Sequence, residues 1–329
     1  MNLETKPHNT YKSEITFLSI MTLILGINCI FFGYLLLPVA AGFYAALLSC
    51  EKKEGRILSY VLPLIPPTLS AFVLNTFYSL ESIAYVIIGL MIYIGFQKKH
   101  NKTTTVLVST LALLLLMFIS FILLALNETG GTFKFEAIKG FYDDAYSSGK
   151  IKFTQYLTSF TSTDQNGVVF YNFNASQAVD LYNSFIIMML PILVIFALVS
   201  VGISTRILSS RVRKYNPDDT RLVGWKFVTS PFIAYSYIVI TVLAAISQTG
   251  VVGISLSFVA TILMALYFYI GICATFNFIS SKKGKRFAII LITLALFVFS
   301  SFTPQIISFI GVFVNNSAYK AKYSEKTGI

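Results

Sequence analysis

Three prolines, Pro63, Pro66 and Pro67, crowd into five residues of an apolar stretch. Proline removes a backbone donor and clashes with the preceding turn, so this grouping predicts a broken helix. Broken helices in membranes free carbonyls that transporters use to hold substrates. The competing reading is a kink whose carbonyls are re-satisfied by neighbouring helices. Just beyond, Asn75, Tyr78 and Glu81 cluster at the outer start of the next apolar run. They could line an outward substrate pocket, or serve as a helix cap and interfacial anchors. A third group is cationic: Arg206, Arg211, Arg213, Lys214, Arg221 and Lys226, with the only tryptophan, Trp225, beside the last. Such a stretch attracts anionic headgroups at about 1 kcal/mol per basic residue or docks an acidic partner; it is also what cytoplasmic loops carry by default.

Other chemistry is missing. The sequence has no GxSxG, HExxH or P-loop, the spacings that hydrolytic, metal and phosphate chemistry demand. Asp143–Asp144 and Asp218–Asp219 are adjacent acids in loops. Cys29, Cys50 and Cys273 lie in or beside apolar runs, and His8 and His100 in polar flanks, so neither a disulfide framework nor a metal site is expected. We expect no enzyme activity, no metal and no cofactor. Nucleic-acid binding would need a basic folded module, and none is visible.

The elements that must position these residues follow from composition. Hydrophobic residues make up 56% of the 329, charged residues 12%, and mean hydropathy is +0.74. A soluble domain would be nearer a quarter charged. A bilayer core of roughly 30 Å asks for about 20 apolar residues per helix. Continuous rather than alternating runs favour helices over a barrel. The expectation is an all-α polytopic bundle of about eight or nine spans, near 15–33, 35–50, 56–75, 79–96, 104–126, 183–205, 227–248, 252–280 and 286–314. The last contains Pro304 and is read as one long kinked helix, the alternative being a tail that folds back at the interface after Pro304.

Orientation follows from lysine and arginine. With the N-terminus inside, the inner segments collect Lys6, Lys12, Lys52, Lys53, Arg56, Lys98, Lys99, Lys102, the 206–226 group, Lys282, Lys283, Lys285 and Arg286. The outer loops before the tail hold Lys134, Lys139, Lys150 and Lys152. The positive-inside bias therefore favours a cytoplasmic N-terminus in a bacterial plasma membrane. Three parts result: an N-terminal membrane half (1–126), an extracytoplasmic loop (127–182) and a C-terminal membrane half (183–329). In the loop, Phe135, Ile138, Tyr142 and Ala145 share a helical face, which predicts a short amphipathic helix, with a second over 151–160. Gly130–Gly131 and Ser147–Ser148–Gly149 would supply turns. Asn174-Ala175-Ser176 matches a glycosylation acceptor. In the second span, Ala41 with Ala45 and Gly42 with Ala46 form small-residue pairs four apart. These pack helices closely, internally or against another membrane subunit.

Gly271-Ile-Cys-Ala-Thr-Phe-Asn-Phe before Lys282-Lys283-Gly284, the closing Pro304–Gly311 segment and Trp225-Lys226 with Pro231 together resemble the YybS-like group of bacterial membrane proteins. The chain departs from that pattern at Ile270, where the group carries glutamine, and at Asn315–Asn316 with lysines, where it carries an acidic signature ending in arginine. The first half of that group is in turn similar to the substrate-binding subunits of energy-coupling-factor vitamin transporters. That likeness implies a helical bundle holding a micronutrient near the outer face, its small-residue stripe against a transmembrane partner. Two functions are expected: small-molecule binding or transport, and, alternatively, a non-enzymatic scaffold recruiting partners through basic inner loops.

Overall fold

Helices are what these apolar runs can form without leaving backbone groups unpaired in lipid, and helices dominate the computed structural model. It describes residues 8–50, 60–73, 76–130, 134–159, 162–163, 169–171, 174–216, 219–222, 225–247, 250–281 and 303–327. In chain order the helices are α1 His8–Phe32, α2 Leu37–Cys50, α3 Ile65–Val73, α4 Thr76–Gln97, α5 Lys102–Glu128, α6 Phe135–Ser159, α7 Ala175–Tyr215, α8 Pro231–Ile246, α9 Gly250–Ser281 and α10 Thr303–Thr327. Among the described residues, four helical segments are long and apolar enough to cross a membrane: Ser13–Leu35, Lys102–Glu128, Pro191–Lys214 and Val252–Thr275. Leu37–Cys50, Leu62–Phe72, Ser82–Gln97 and Pro231–Ile246 are shorter apolar helices.

The core forms around α2. Ala41, Gly42, Ala45 and Ala46 are buried, and almost every other α2 residue with them; an apolar helix without a polar face is an interior helix. A Cβ on Gly42 would sit 2.8 Å from Cβ of Ile207 and 3.0 Å from the Ser204 carbonyl. Across the helix, the Ala41 carbonyl and Tyr44 press against Gly89 of α4. The small-residue stripe thus packs inside the chain, between α7 and α4.

Within the third span expected at 56–75, where the prolines predict a break, a 3-10 turn over Leu62–Leu64 precedes α3. The reason is visible in the carbonyls. Pro66 cannot donate to Leu62, whose oxygen instead accepts from the Ile65 N–H. Pro67 cannot donate to Pro63, whose oxygen accepts from the Tyr85 hydroxyl at 2.6 Å. Both orphans are satisfied within the bundle. Tyr85→Phe should therefore destabilise the protein by about 1–3 kcal/mol, the cost of an unpaired buried polar group, read as a lower melting temperature in detergent.

In the segment expected as the outer loop, α6 runs unbroken through Ser147–Gly149, where a turn was expected. Gly149 is there for clearance: a Cβ would lie 2.5 Å from the Tyr182 hydroxyl of α7. The same segment adds to the helical fold a short two-stranded antiparallel pair, β1 Ser162–Thr163 and β2 Val169–Tyr171; Val169, Phe170 and Tyr171 favour a strand. Helix α7 has 41 residues, far beyond the expected 183–205. Asn174 starts it through a reciprocal cap: its Oδ1 accepts from the Gln177 N–H at 2.8 Å, and Gln177 Oε1 accepts from the Asn174 N–H at 3.2 Å. Arg213 and Lys214 complement the dipole at its end. Arg206 to Lys214 are therefore helical, not loop.

Most of the expected last span, 286–314, lies outside the described residues, which break off after Ser281 and resume at Thr303 with α10. Ser308 donates to the Met264 carbonyl at 3.0 Å; further on, Val314 and Ala318 adjoin Ile270, Cys273 and Ala274. The two sequences advance together, so α10 runs parallel to α9. The C-terminal ends of both helices, with Lys320, lie at one end of the bundle.

Long-range contacts show what else lies at that end. Glu14 of α1 meets Arg211 and Lys214 of α7; Gln97 of α4 meets Arg221; Thr103 of α5 meets Val228. These are segments that the lysine and arginine count groups on the inner side. At the opposite end α6 docks on α5 and α7: Tyr142 donates to the Phe121 carbonyl and Tyr146 to Asn183 Oδ1 at 2.6 Å.

Candidate anion-binding site

The last turns of α7 carry cations on two faces, and the faces have different fates. Arg211 and Lys214 turn toward α1. Glu14 accepts from Arg211 Nη1 at 3.2 Å and from Lys214 Nζ at 2.9 Å. The Arg211 guanidinium also lies 5.0 Å from the ring centres of both Phe17 and Phe43, an arrangement that the ring quadrupoles favour. Arg221 is likewise engaged: its Nε donates to Asp219 Oδ1 at 2.9 Å, its Nη1 to Gln97 Oε1 at 2.6 Å, and its plane lies 4.6 Å from the Phe96 ring centre. These three cations are structural.

Arg206 and Arg213 sit on the other face, with Ser209 and Ser210, at three- and four-residue spacings that align side chains. They line a cavity of about 640 Å³ together with Lys102 from the start of α5 and Lys226 from the segment before α8. Among the described residues, no acidic one lines it. Among the described residues, none of these four cations has a carboxylate partner; Arg206 reaches only the Cys273 sulfur, at 4.0 Å. The remaining wall is largely apolar, with Ile270 and Ala274 of α9 and Val314 and Ala318 of α10 beside Tyr269 and Cys273.

The segment 225–230 is fixed from both sides. Thr103 Oγ1 donates to the Val228 carbonyl at 2.8 Å and accepts from its N–H at 2.9 Å. Asn315, buried in α10, accepts from the Thr229 N–H at 2.7 Å and donates to its carbonyl at 3.0 Å. One threonine and one asparagine thus pair the backbone as a neighbouring strand would, and so position Lys226 and Trp225. Trp225 itself is buried. It is 7% exposed, edge-on to Phe96 at 5.0 Å, and lines the cavity. Its indole N–H is buried without an acceptor among the described residues.

Asp219, beside the cavity segment, tests the electrostatics of this end. Hydrogen bonds from Arg221 hold its carboxyl below the usual carboxylate range against the opposing effect of burial. A depressed folded-state pKa adds stability above the unfolded value and loses it as pH falls through the folded one. Asp219→Asn should lower the melting temperature equally at pH 7 and pH 5, with the gap to wild type closing only below about pH 4.

Of the residues singled out from sequence, the structure brings Arg206, Arg213, Lys226 and Trp225 together and sends Arg211 and Lys214 to Glu14. Asn75 and the side chains of Tyr78 and Glu81 lie outside the described residues. A role in this cavity for Lys102, Ser209, Ser210 and the two positioning residues, Thr103 and Asn315, was not anticipated; only the shared helical face of 206, 209, 210 and 213 was readable in advance. Among the described residues, no group of histidine, cysteine and acidic side chains could hold a metal ion.

Comparison with known proteins gives one result. Residues 15–313 match the family described as "Predicted membrane protein (DUF2232)", and the chain belongs to that family. No curated protein and no solved structure matches it.

Proposed function

We propose, starting from membership of that membrane-protein family, that this chain is a multi-pass bacterial plasma-membrane protein that binds an anionic solute from the cytoplasmic side, as a binding or transport protein without catalytic activity. The observation that carries this reading is the cavity with four cations and, among the described residues, no acid to pair them. Cations gathered in one cavity repel one another, and the described carboxylates serve Arg211, Lys214 and Arg221 instead. A bound anion supplies the counter-charge, along with an acceptor of the kind that Trp225 lacks. Its location at the basic end makes it cytoplasmic by the positive-inside bias.

The resemblance to YybS-like proteins and vitamin-transporter substrate subunits supports binding over scaffolding, although this cavity lies at the end opposite the expected outward pocket. The buried stripe at Ala41, Gly42, Ala45 and Ala46 favours packing within the chain rather than against a transporter partner. A second reading, a scaffold for an acidic soluble partner, is favoured by the exposure of Lys98, Lys99 and Lys226 at the same end. Thermal melts of the purified protein with inorganic diphosphate and with spermidine test the first. Diphosphate should raise the melting temperature, by about 2.7 kcal/mol of stabilisation at a hundredfold excess over Kd, with an effect that shrinks as salt rises. Stabilisation by spermidine instead would contradict it, and an acidic protein co-purifying stoichiometrically would favour the scaffold.

A further inference from the structure

We infer that the anion is the headgroup of a lipid phosphomonoester of the inner leaflet, its hydrocarbon chain lying along α9 and α10. This rests on the reading that the cavity takes an anion, and names which. Three observations carry it. The cavity has two unlike sides, cationic on α5, α7 and the segment before α8, and largely apolar on α9 and α10, where only Tyr269 and Cys273 among the described lining residues carry polar groups. A small hydrophilic anion would leave the second wall wet, whereas an amphiphile matches both. The apolar wall is also continuous with the outside of the bundle. Val314 lines the cavity yet is 40% exposed, and Ile310 and Phe313 beside it are 41% and 72% exposed. In a membrane-spanning chain such an apolar surface meets lipid.

Depth agrees. Ile270, Cys273 and Ala274 fall at the end of the apolar segment Val252–Thr275, and Arg206 and Arg213 at the end of Pro191–Lys214. The cations therefore stand where an apolar span gives way to headgroups. At about 640 Å³ the cavity is in the range that holds drug-sized ligands, larger than bare phosphate needs. Charge then selects the headgroup. A phosphodiester brings one negative charge, whereas a phosphomonoester brings about 1.5 to 2 at pH 7. Four cations, with no acid among the described lining residues, favour the monoester.

The test is thermal stability of the full-length protein in detergent micelles doped with phosphatidate, phosphatidylglycerol or phosphatidylcholine at equal mole fraction, and with soluble glycerol 3-phosphate or inorganic diphosphate. Phosphatidate is expected to stabilise most and phosphatidylcholine least. Arg213→Gln, at an exposed helical position, should weaken apparent phosphatidate affinity at least about tenfold; Lys214→Gln, whose charge serves Glu14, should leave it within about twofold. Equal stabilisation by glycerol 3-phosphate, no preference over phosphatidylglycerol, or a phosphatidate effect untouched by Arg213→Gln would overturn the lipid assignment while leaving anion binding standing. If neither diphosphate nor any of the lipids stabilises the protein, both readings fall.

Discussion

Removing Arg206 and Arg213 together, as Arg206→Ala/Arg213→Ala, is expected to weaken anion binding by roughly two orders of magnitude or more. A hydrogen bond to a charged group is worth about 1.5–3 kcal/mol, or roughly 10- to 150-fold in affinity. The two arginines share one site, so their effects will not simply add. The sign of the effect on the empty protein separates this from general damage. Neither side chain has a carboxylate partner among the described residues, and both face two further cations. Deleting them relieves repulsion, so the unliganded melting temperature should hold or rise. Arg211→Ala should do the reverse. It strips Glu14 of one of its two partners and removes the stacking on Phe17 and Phe43, lowering stability while leaving anion affinity nearly unchanged. Titration and melting of both variants distinguish the two outcomes.

The second large effect belongs to the α9–α10 contact. A side chain at Gly311 would run into the Tyr267 carbonyl, and one at Gly271 into the Ile307 carbonyl. Both obstacles are helix backbone, which cannot rotate aside. Overpacked sites typically cost 1–3 kcal/mol and sometimes more; here we expect at least about 3 kcal/mol for Gly311→Leu, enough to empty the folded peak in size-exclusion chromatography of the detergent-solubilised protein. Anion binding should fail with it, because α10 supplies Asn315 to the Thr229 backbone. Gly140→Ala in α6 should have the opposite sign. Its Cβ would meet nothing within 4 Å, and alanine is the better helix former by about 0.5–1 kcal/mol.

These cases mark what could be read in the sequence. Apolar runs of span length show where helices form, because lipid leaves the backbone few alternatives. The cap of α7 was legible too, as Asn174 with Gln177 three residues on, but the same letters also spell a glycosylation acceptor. Pro304 was ambiguous by nature: proline kinks a helix interior and fits a helix start equally well. The cationic stretch was legible in composition but not in purpose. Helical periodicity separates Arg206 and Arg213 from Arg211 and Lys214, yet nothing local indicates that Glu14, nearly two hundred positions earlier, takes the second pair. Lys102 joins the cavity for the same unreadable reason, since its neighbours come from α7 and α9. The Pro63 carbonyl, freed by Pro67, gave a signal for a substrate site; its capture by Tyr85 is a tertiary fact.

The claim on which the account depends is a cytoplasmic cavity that holds an anion. Ser210, exposed on the lining, offers the most direct test once Cys29, Cys50 and Cys273 are replaced by alanine. In Ser210→Cys on that background, a membrane-impermeant maleimide should label inside-out vesicles and not intact cells, and saturating inorganic diphosphate should slow the labelling several-fold. Labelling from outside intact cells, or an unchanged rate in the presence of the anion, would contradict it.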